Sequence, residues 1–420
     1  MEKFGCPTRF TGIVHQFHDG MMARVLDDCE PSEAFPVTNG VKQGCVLAPT
    51  LFSKMFSAML TDAFRACKPG IKIRFRTDGK LFNPRRLKSV TKVKETILRD
   101  FLFADDCALN AGNEHEMQAE MDCFSTACNN FGLTISTKKT EVMFQPAPIP
   151  IPQAVNGQTL QAVETFAYLG STLYRNANID SEISARIAKA SSTFGRLRNN
   201  VWERRGISLQ SKLKVYRAVI LTTLLYGCEA WTMYRRHERQ VNHFHLSCLR
   251  NLLHIRSLDK VPDTEVMKQA NLPSITTVIR KSQLRWAGHV SRMSDHRIPK
   301  QLFYGELCQG KRRVGGQRKR YKDSLKVSLK DFNIESESWE SLASDTPTWR
   351  CLIAKGATTA EERRSLQTET KREARKARAI SNKCKAHTHF CPICGRGFLA
   401  RIGLISHLRT HLASSTLSTN

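Results

Sequence analysis

The sequence lacks an apolar run long enough to cross a bilayer, and Met1 to Phe10 hold no apolar stretch of the signal-peptide kind. No internal repeat of fixed period is visible either. These absences predict a protein without a membrane span, located in the nucleus or the cytoplasm.

Acidic residues are few beside basic ones. The chain has 38 Asp and Glu against 65 Lys and Arg, for a formal net charge of +27. A net positive charge of this size favours binding to a polyanion. A basic soluble protein that binds no polyanion can have the same composition. With 420 residues, 41% of them hydrophobic, the chain is long enough for about three domains with sizeable cores.

Most of the 14 cysteines stand singly among apolar neighbours, as Cys107, Cys123, Cys228 and Cys248 do. In a reducing compartment such residues are small core side chains rather than disulfide partners. Cys391 and Cys394 differ, because they begin the pattern Cys391-x2-Cys394-x12-His407-x3-His411.

That pattern has the ligand spacing of a C2H2 zinc finger, with Phe398 and Leu404 at its two core positions. Two thiolates and two imidazoles suit tetrahedral Zn²⁺, and His407 and His411 would lie one helical turn apart. We therefore predict a ββα zinc finger whose zinc ligands are Cys391, Cys394, His407 and His411.

The partner of this finger is left open. Small residues occupy the helix positions that usually meet bases, namely Ala400, Gly403 and Ser406. Phosphate contacts would fall to Arg396, Arg401 and Arg409. Weak, salt-sensitive attachment to RNA or DNA is one prediction, and docking to a protein is the competing one.

Asp105 and Asp106 are adjacent and lie between the apolar residues 101–104 and 107–109. This predicts a hairpin with buried strands and a tip where two carboxylates repel each other. A divalent metal resolves the repulsion, and polymerases use such a turn to hold Mg²⁺ ions that activate a 3′-hydroxyl for phosphoryl transfer. The plainer alternative is a common polar turn.

Turn and helix signals surround this hairpin. Pro49 suits the first turn of a helix, and Gly132 suits the end of the helix that carries Met117 to Cys128. Asp78-Gly79 and Asn156-Gly157 each predict a hairpin turn. Pro146 to Pro152 predict an extended connector, and the chain becomes helical from Asp180 onwards.

Four segments resemble motifs of reverse transcriptases from non-LTR (LINE-type) retrotransposons, in the order of that family. They are Gly40 to Pro49 (G-x-x-Q-G-x-x-x-A-P), Phe103-Ala104-Asp105-Asp106 (F-x-D-D), Gly132 to Ile135 with Lys138-Lys139-Thr140, and Phe166 to Ser171 with its Y-L-G. The resemblance covers about residues 35–175, and Leu284 to His289 is a further match of lower specificity.

The resemblance implies an α+β fold in four parts. A partial polymerase palm of antiparallel hairpins plus helices would occupy residues 1–175, and a mostly helical thumb-like region residues 176–335. A basic linker over 336–385 and the ββα zinc finger over 386–414 would follow.

The implied activity is RNA-directed DNA polymerisation, with an RNA template and a DNA primer or target as partners. Asp105 and Asp106 would hold Mg²⁺, and Gln43 and Gly44 would line the nucleotide and template pocket. Lys139 would lie near the triphosphate, but Lys138 could serve equally, and an exposed lysine on a strand is the alternative.

Such polymerases carry a third catalytic Asp on a strand that precedes the Gly40 block, and Met1 to Gly20 resembles the helix after that strand. Asp19 is a poor local substitute. We therefore expect an N-terminally truncated chain with little or no polymerase activity alone. The alternative function is a non-catalytic, zinc-dependent nucleic-acid-binding protein.

Two basic clusters, around Lys311 and Arg318, extend the predicted nucleic-acid track, with Trp286 and Tyr321 available for stacking. A solvated surface or a nuclear localisation signal explains the clusters equally well.

Overall fold

The computed structural model describes residues 1–2, 5–27, 30–38, 44–65, 70–145, 154–310, 317–383 and 388–415. Gln43, the predicted connector over Pro146–Pro152 and the basic cluster at Lys311 lie outside the described residues. The described chain combines helices with small sheets, which confirms the predicted mixed α and β class.

The helices are α1 Thr8–His18, α2 Ala48–Ala63, α3 Glu114–Asn130, α4 Asp180–Arg196, α5 Leu209–Val215, α6 Thr222–Leu224, α7 Arg235–Leu252, α8 Asp263–Ala270, α9 Ile275–Arg292, α10 Ile298–Tyr304, α11 Tyr321–Asp331, α12 Trp339–Ser344, α13 Thr346–Lys383 and α14 Arg401–Ser415. The strands are β1 Met22–Ala23, β2 Leu26–Asp27, β3 Glu30–Pro31, β4 Phe35–Pro36, β5 Ile71–Phe75, β6 Lys94–Leu98, β7 Asp100–Phe103, β8 Asp106–Leu109, β9 Glu141–Val142, β10 Ala154–Val155, β11 Gln158–Thr159, β12 Gln161–Ala162, β13 Thr165–Tyr168, β14 Ser171–Tyr174, β15 Glu306–Leu307, β16 His389–Phe390 and β17 Gly397–Phe398.

The chain divides into two compact units. The first contains Met1–Ala188 and Met293–Arg320, and the second contains Lys189–Arg292 and Tyr321–Asn420. Among the described residues, none of the helices combines the length and the apolarity that crossing a bilayer requires.

The core of the first unit forms where α2 packs on α3. Pro49 lies in the first turn of α2, as predicted, where its missing N–H costs no hydrogen bond. The buried side chains of this core are Met59, Ala63, Phe124, Ala127 and Cys128.

The end of α3 also follows the sequence prediction. Gly132 has a φ of +70°, and the N–H of Leu133 donates to the carbonyl of Cys128 at 2.8 Å. A glycine in the left-handed region allows this reversal without strain, and the helix ends at Asn130.

The hairpin predicted at Asp78-Gly79 is wrong. β5 pairs antiparallel with β6, with Phe75 opposite Lys94, and β15 adds on the other side of β5. Asp78 instead lies in the long β5–β6 loop, where it pairs with Arg76 at 2.6 Å and with Arg86 at 2.7 Å. Asp78-Gly79 therefore form part of a loop that these ion pairs stabilise, and no strand follows at Leu81.

Helix α9 lies at the centre of the second unit and packs against α7, α11, α12 and α13. A Cβ on Gly288 would lie 2.1 Å from Nε1 of Trp349, so the backbone of α9 needs a glycine there. Trp349 Nε1 donates to the carbonyl of Leu284 at 3.1 Å. The close packing of these two helices therefore explains Leu284 and Gly288 of the Leu284–His289 segment.

Helix α13 has 38 residues and covers most of the segment expected to be a basic linker. Its first part is packed, since Trp349, Ile353 and Ala360 are buried and Glu361 accepts hydrogen bonds from both N and Oγ of Ser274. Beyond Ser365 the described side chains of the helix are exposed apart from the half-buried Arg372. One helix thus begins in the core and leaves it.

Candidate metal centres and their surroundings

Strands β7 and β8 form the predicted acidic hairpin. Phe103 pairs with Asp106, so Ala104 and Asp105 form a turn of two residues and Asp106 is the first residue of β8. Ala104 has a φ of +52°, a region that a residue with a Cβ enters at a cost of about 1–2 kcal/mol. The backbone is therefore held in a tight and strained reversal at the two carboxylates.

The strands that flank the carboxylates are not buried, contrary to the prediction. Asp105 and Asp106 are exposed, Phe103 is 63% exposed, and the other residues of β7 and β8 are half-buried. The reason is that the hairpin is a two-stranded sheet with no further strand paired to either edge among the described residues, so its side chains are only partly covered.

The covered side of the hairpin rests on the α2–α3 core, which Cys107 and Leu109 contact. Burial raises the pKa of the Cys107 thiol to about 12, and the neighbouring Cys128 thiol and acidic side chains add to this effect. Cys107 is therefore a neutral packing residue, in agreement with the interpretation of the scattered cysteines.

The Y-L-G segment lies against this hairpin. Tyr168 donates its Oη–H to the carbonyl of Phe101 at 2.9 Å. Burial raises the pKa of Tyr168, and the nearby Cys107 thiol and Asp106 carboxyl raise it further. The Y-L-G segment is thus hydrogen-bonded to the strand that leads into the acidic turn, although more than 60 residues separate Phe101 from Tyr168.

The Y-L-G segment itself is a hairpin rather than one strand. Tyr168 of β13 pairs with Ser171 of β14, so Leu169 and Gly170 form the turn, with φ values of +47° and +79°. A two-residue turn with both φ values positive matches the twist of the two strands.

A buried ion pair that the sequence did not reveal supports this hairpin. Arg186 Nε lies 2.7 Å from Glu182 Oε1, and both side chains are about 6% exposed. Glu182 Oε2 accepts from the N–H of Thr172 at 2.6 Å, and Arg186 donates to the carbonyl of Gly170. In the sequence, only the i,i+4 spacing of Glu182 and Arg186 indicates this ion pair, and many exposed pairs on helices have the same spacing.

Gly44 and Lys139 are described, whereas Gln43 is not. Gly44 has a φ of +88°, and a Cβ there would meet nothing within 4 Å, so backbone conformation already requires this glycine. Lys139 is exposed, as the alternative interpretation has it, but on a turn rather than a strand, where its N–H donates to the carbonyl of Ser136 at 3.0 Å. Within the described part of the chain, neither residue forms a hydrogen bond or an ion pair with Asp105 or Asp106.

The acidic hairpin supplies two carboxylates. Among the described residues, no third Asp, Glu, His or Cys joins Asp105 and Asp106 in a group that could hold a metal ion. Asp19, the substitute considered from the sequence, is exposed and directly follows α1.

A different carboxyl is buried beneath the hairpin. Glu120 of α3 is 0% exposed, and neither of its carboxylate oxygens has a hydrogen-bond partner among the described residues. Its pKa is raised to about 8, chiefly by burial; Arg99 lowers it, and Asp100 and Glu116 add to the rise. Below that pH this residue is a neutral carboxylic acid.

The terminal Cys/His pattern converges on one point. Cys394 Sγ lies 3.1 Å from His407 Nε2, which is 3.0 Å from His411 Nε2, and Cys391 Sγ lies 3.6 Å from His411 Nε2. The four ligand atoms all lie within 4.8 Å of one another. One Zn²⁺ with bonds of about 2.0–2.3 Å can reach all of them.

The protonation of this cluster suits metal binding. Burial opposes ionisation of Cys391, but the N–H groups of Cys394 and Ile393 outweigh it and hold the pKa of the thiol below its ordinary value. Burial lowers the pKa of His407, as do His411 and Arg396. Zinc requires a thiolate and a neutral imidazole, so both shifts act in the required direction.

The helix of this segment presents arginines and small residues. Arg396, Arg401 and Arg409 are exposed. A Cβ on Gly403 would lie 3.3 Å from Cδ1 of Phe398, so position 403 faces the interior of the small unit. This packing is consistent with a small residue that reads no base, and Arg396, Arg401 and Arg409 are exposed cations of the segment.

Residues 1–173 match the family of reverse transcriptases (RNA-dependent DNA polymerases). The chain is 27% identical over 277 residues to a transposon-derived protein of Caenorhabditis elegans, a match that covers 62% of this chain and 97% of that protein. It is 24% identical over 233 residues to the RNA-directed DNA polymerase of the mobile element jockey of Drosophila melanogaster, covering 54% of this chain and 23% of that polymerase. Residues 1–173 therefore carry a reverse transcriptase domain, and the chain is similar to a transposon-derived protein and to a mobile-element polymerase.

Proposed function

We propose that this chain contributes to RNA-directed DNA synthesis by a LINE-type retrotransposon, with Asp105 and Asp106 as magnesium-binding catalytic residues. The observation that carries the proposal is a pair of exposed carboxylates at a tight two-residue turn, within the part of the chain that matches the reverse transcriptases. Tight hairpin turns commonly contain a positive φ, as this one does at Ala104, so the paired carboxylates rather than the backbone conformation point to a metal.

The donor set fits the metal. Mg²⁺ prefers oxygen ligands and is commonly bound by one or two carboxylates together with substrate phosphates. Asp105 and Asp106 supply two such carboxylates from adjacent positions, and both residues are exposed to solvent. Bound Mg²⁺ would lower the pKa of a primer 3′-hydroxyl and offset charge on the transferred phosphoryl group. The rest of the chain then has to orient primer, template and nucleotide.

Three further roles follow from the family pattern. Gln43 and Gly44 would line the nucleotide and template pocket, and the exposed Lys139 would offset triphosphate charge. The Y-L-G hairpin, held to β7 by Tyr168, would carry the primer end close to the carboxylates. In these terms residues 1–175 are a partial palm, and residues 176–335 include the thumb.

The terminal segment would act as a zinc finger. Cys391, Cys394, His407 and His411 supply a complete donor set for Zn²⁺. The exposed Arg396, Arg401 and Arg409 would contact phosphates of RNA or DNA without reading sequence. This role requires a nuclear or cytoplasmic location, where the nucleic acids are.

Single-nucleotide incorporation tests the polymerase proposal. The purified chain is mixed with an RNA template, an annealed DNA primer, Mg²⁺ and one dNTP. We expect weak incorporation directed by the template base, because the described residues supply two carboxylates rather than three. Asp106→Asn should abolish it, whereas Asp62→Asn, an exposed carboxyl on α2, should leave it unchanged.

Incorporation that persists in Asp106→Asn, or that ignores the template, contradicts the assigned site. A wild-type chain that incorporates nothing, but binds zinc and nucleic acid, supports the second function. That function is zinc-dependent nucleic-acid binding, and the complete Cys/His cluster favours it.

A further inference from the structure

The exposed half of α13 carries a dense group of cations. Within residues 371–378 there are five basic side chains and a single acidic one, Glu373. The five are Lys371, Arg372, Arg375, Lys376 and Arg378, and within the described part of the chain none of them forms an ion pair. We call these five residues the α13 cationic face.

The α13 cationic face is one side of the helix. At 3.6 residues per turn the five side chains fall within an arc of about 160°. Glu369, Glu373, Leu366 and Ile380 all fall outside that arc, on one side of the helix. Leu366 and Ile380 are each 65% exposed and more than three turns apart, so this side has no continuous apolar stripe for a lipid surface or a coiled coil.

The arrangement is electrostatically unfavourable for the free helix. Lys371 with Arg375, and Arg372 with Lys376, are like-charge pairs at i,i+4, and such pairs destabilise a helix. The helix dipole favours cations only within the last turn, yet α13 continues past Arg378 to Lys383. A polyanion that lies along the face would remove the repulsion.

We propose that the α13 cationic face lies in the major groove of duplex DNA and contacts phosphates on both sides of the groove. The inference rests on the proposed nucleic-acid function and specifies the surface and the form of the nucleic acid. A helix is about 10–12 Å across, and the major groove of B-form DNA is about 12 Å wide. Cations that span about 160° can reach both walls.

The same geometry disfavours an RNA duplex. The major groove of A-form RNA is deep and too narrow for a helix to enter, and its wide groove is shallow. The contacts run from Lys and Arg to phosphates, so binding is independent of base sequence and depends strongly on salt. The chain would use this face on the DNA target rather than on the RNA template.

The experiment measures the affinity of the full-length chain for a fluorescent DNA duplex of roughly two helical turns, by anisotropy at several salt concentrations. No Mg²⁺ or nucleotide is added. Five phosphate contacts contribute about −4.5 to the slope of log affinity against log salt, or roughly 500-fold in affinity between about 50 and 200 mM salt. Changing all five residues of the α13 cationic face to Gln should remove that contribution, and Gln preserves helix propensity.

A control variant removes the same charge elsewhere in the second unit. It changes five exposed lysines to Gln: Lys260, Lys268, Lys281, Lys330 and Lys355. A second control, Arg372→Lys with Arg375→Lys and Arg378→Lys, keeps both charge and helix and should keep the wild-type slope. Far-UV circular dichroism verifies that α13 remains helical in each variant.

Equal slopes for the α13 variant and the scattered control would overturn the proposal. An equal loss of affinity for an RNA duplex of the same length would overturn the major-groove assignment. Asp62→Asn, at an exposed carboxyl of α2 outside both proposed sites, should retain the wild-type slope, and duplex binding without Mg²⁺ or nucleotide does not report on polymerase chemistry. Failure of the polymerase proposal is therefore distinguishable from failure of this one.

Discussion

The two candidate metal centres of this chain are built in opposite ways. The Cys/His cluster takes all four ligands from residues 391–411, and their ligand atoms already lie within 4.8 Å of one another. The acidic hairpin takes two carboxylates from one turn, and its support comes from α2, α3 and the Y-L-G hairpin. A local ligand set is complete in its own segment, whereas a distributed site depends on distant parts of the chain.

The largest effect is expected from a variant that disrupts only the Cys/His cluster. Cys391→Ser combined with Cys394→Ser should abolish zinc binding, because structural zinc contributes about 10–16 kcal/mol through such ligands. Zinc released from the unfolded protein is measured with a chromogenic chelator. Cys351→Ser, at an exposed cysteine of α13, should keep one zinc per chain. Stoichiometric zinc in the double variant would disprove the assignment.

The next effect concerns the distant support of the acidic hairpin. Arg186→Met leaves the Glu182 carboxylate buried without its partner, which should cost about 3–5 kcal/mol. Hydrogen exchange of residues 165–174 measures the loss as faster opening of the Y-L-G hairpin. Zinc content should not change, since the terminal cluster is independent of this pair.

The matched control for Arg186 is Arg198→Met. Arg198 pairs with Glu203 at 2.5 Å, but both side chains are more than half exposed, so the loss should be at most about 1 kcal/mol. Equal exchange rates in the two variants would mean that the buried pair does not hold the hairpin.

A third prediction concerns the pH dependence of the stability of the first unit, which contains the acidic hairpin. The folded-state pKa of Glu120, about 8, lies above its ordinary value of 4.5, so the folded chain holds a proton that the unfolded chain releases in this window. The stability of the first unit should therefore fall as pH rises from about 4.5 to about 8. Glu120→Gln should remove this slope and stabilise the unit at pH 9 by up to about 5 kcal/mol.

Hydrogen exchange of α3 as a function of pH measures this effect, and Glu141→Gln, at an exposed carboxyl, should keep the wild-type slope. A Glu120→Gln variant with an unchanged pH dependence would show that this carboxyl is not the titrating group.

The smallest effect concerns one hydrogen bond. Tyr168→Phe removes the donor to the Phe101 carbonyl and should destabilise the hairpin contact by about 0.5–1.5 kcal/mol. Tyr174→Phe is the control in the same hairpin, since Tyr174 donates no such bond within the described chain. Faster exchange at β7 in the first variant and not in the second is the expected result.

Sequence patterns were sufficient wherever the information is local. The Cys/His spacing, the end of α3 at Gly132 and the turn at Asn156-Gly157 were each predicted, and in the last case Val155 pairs with Gln158 as the turn requires. In each of these the chemistry that decides the structure lies within one turn or one short segment.

The sequence patterns gave wrong or incomplete predictions where residues distant in the sequence determine the structure. The pairing of β5 with β6 and β15 overrode the turn signal at Asp78-Gly79, because ion pairs to Arg76 and Arg86 hold Asp78 inside a loop. The Glu182–Arg186 pair and the close approach of Trp349 to Gly288 were also missed. Their importance comes from burial, which a single sequence does not reveal.

Iron-directed cleavage tests the central claim, that Asp105 and Asp106 bind a divalent metal. Fe²⁺ occupies magnesium sites and, with ascorbate and peroxide, generates hydroxyl radicals that cut the nearby backbone. We expect cleavage within the β7–β8 turn that excess Mg²⁺ suppresses and that Asp105→Asn with Asp106→Asn removes. Cleavage elsewhere, or cleavage at the turn that survives in the double variant, would contradict it.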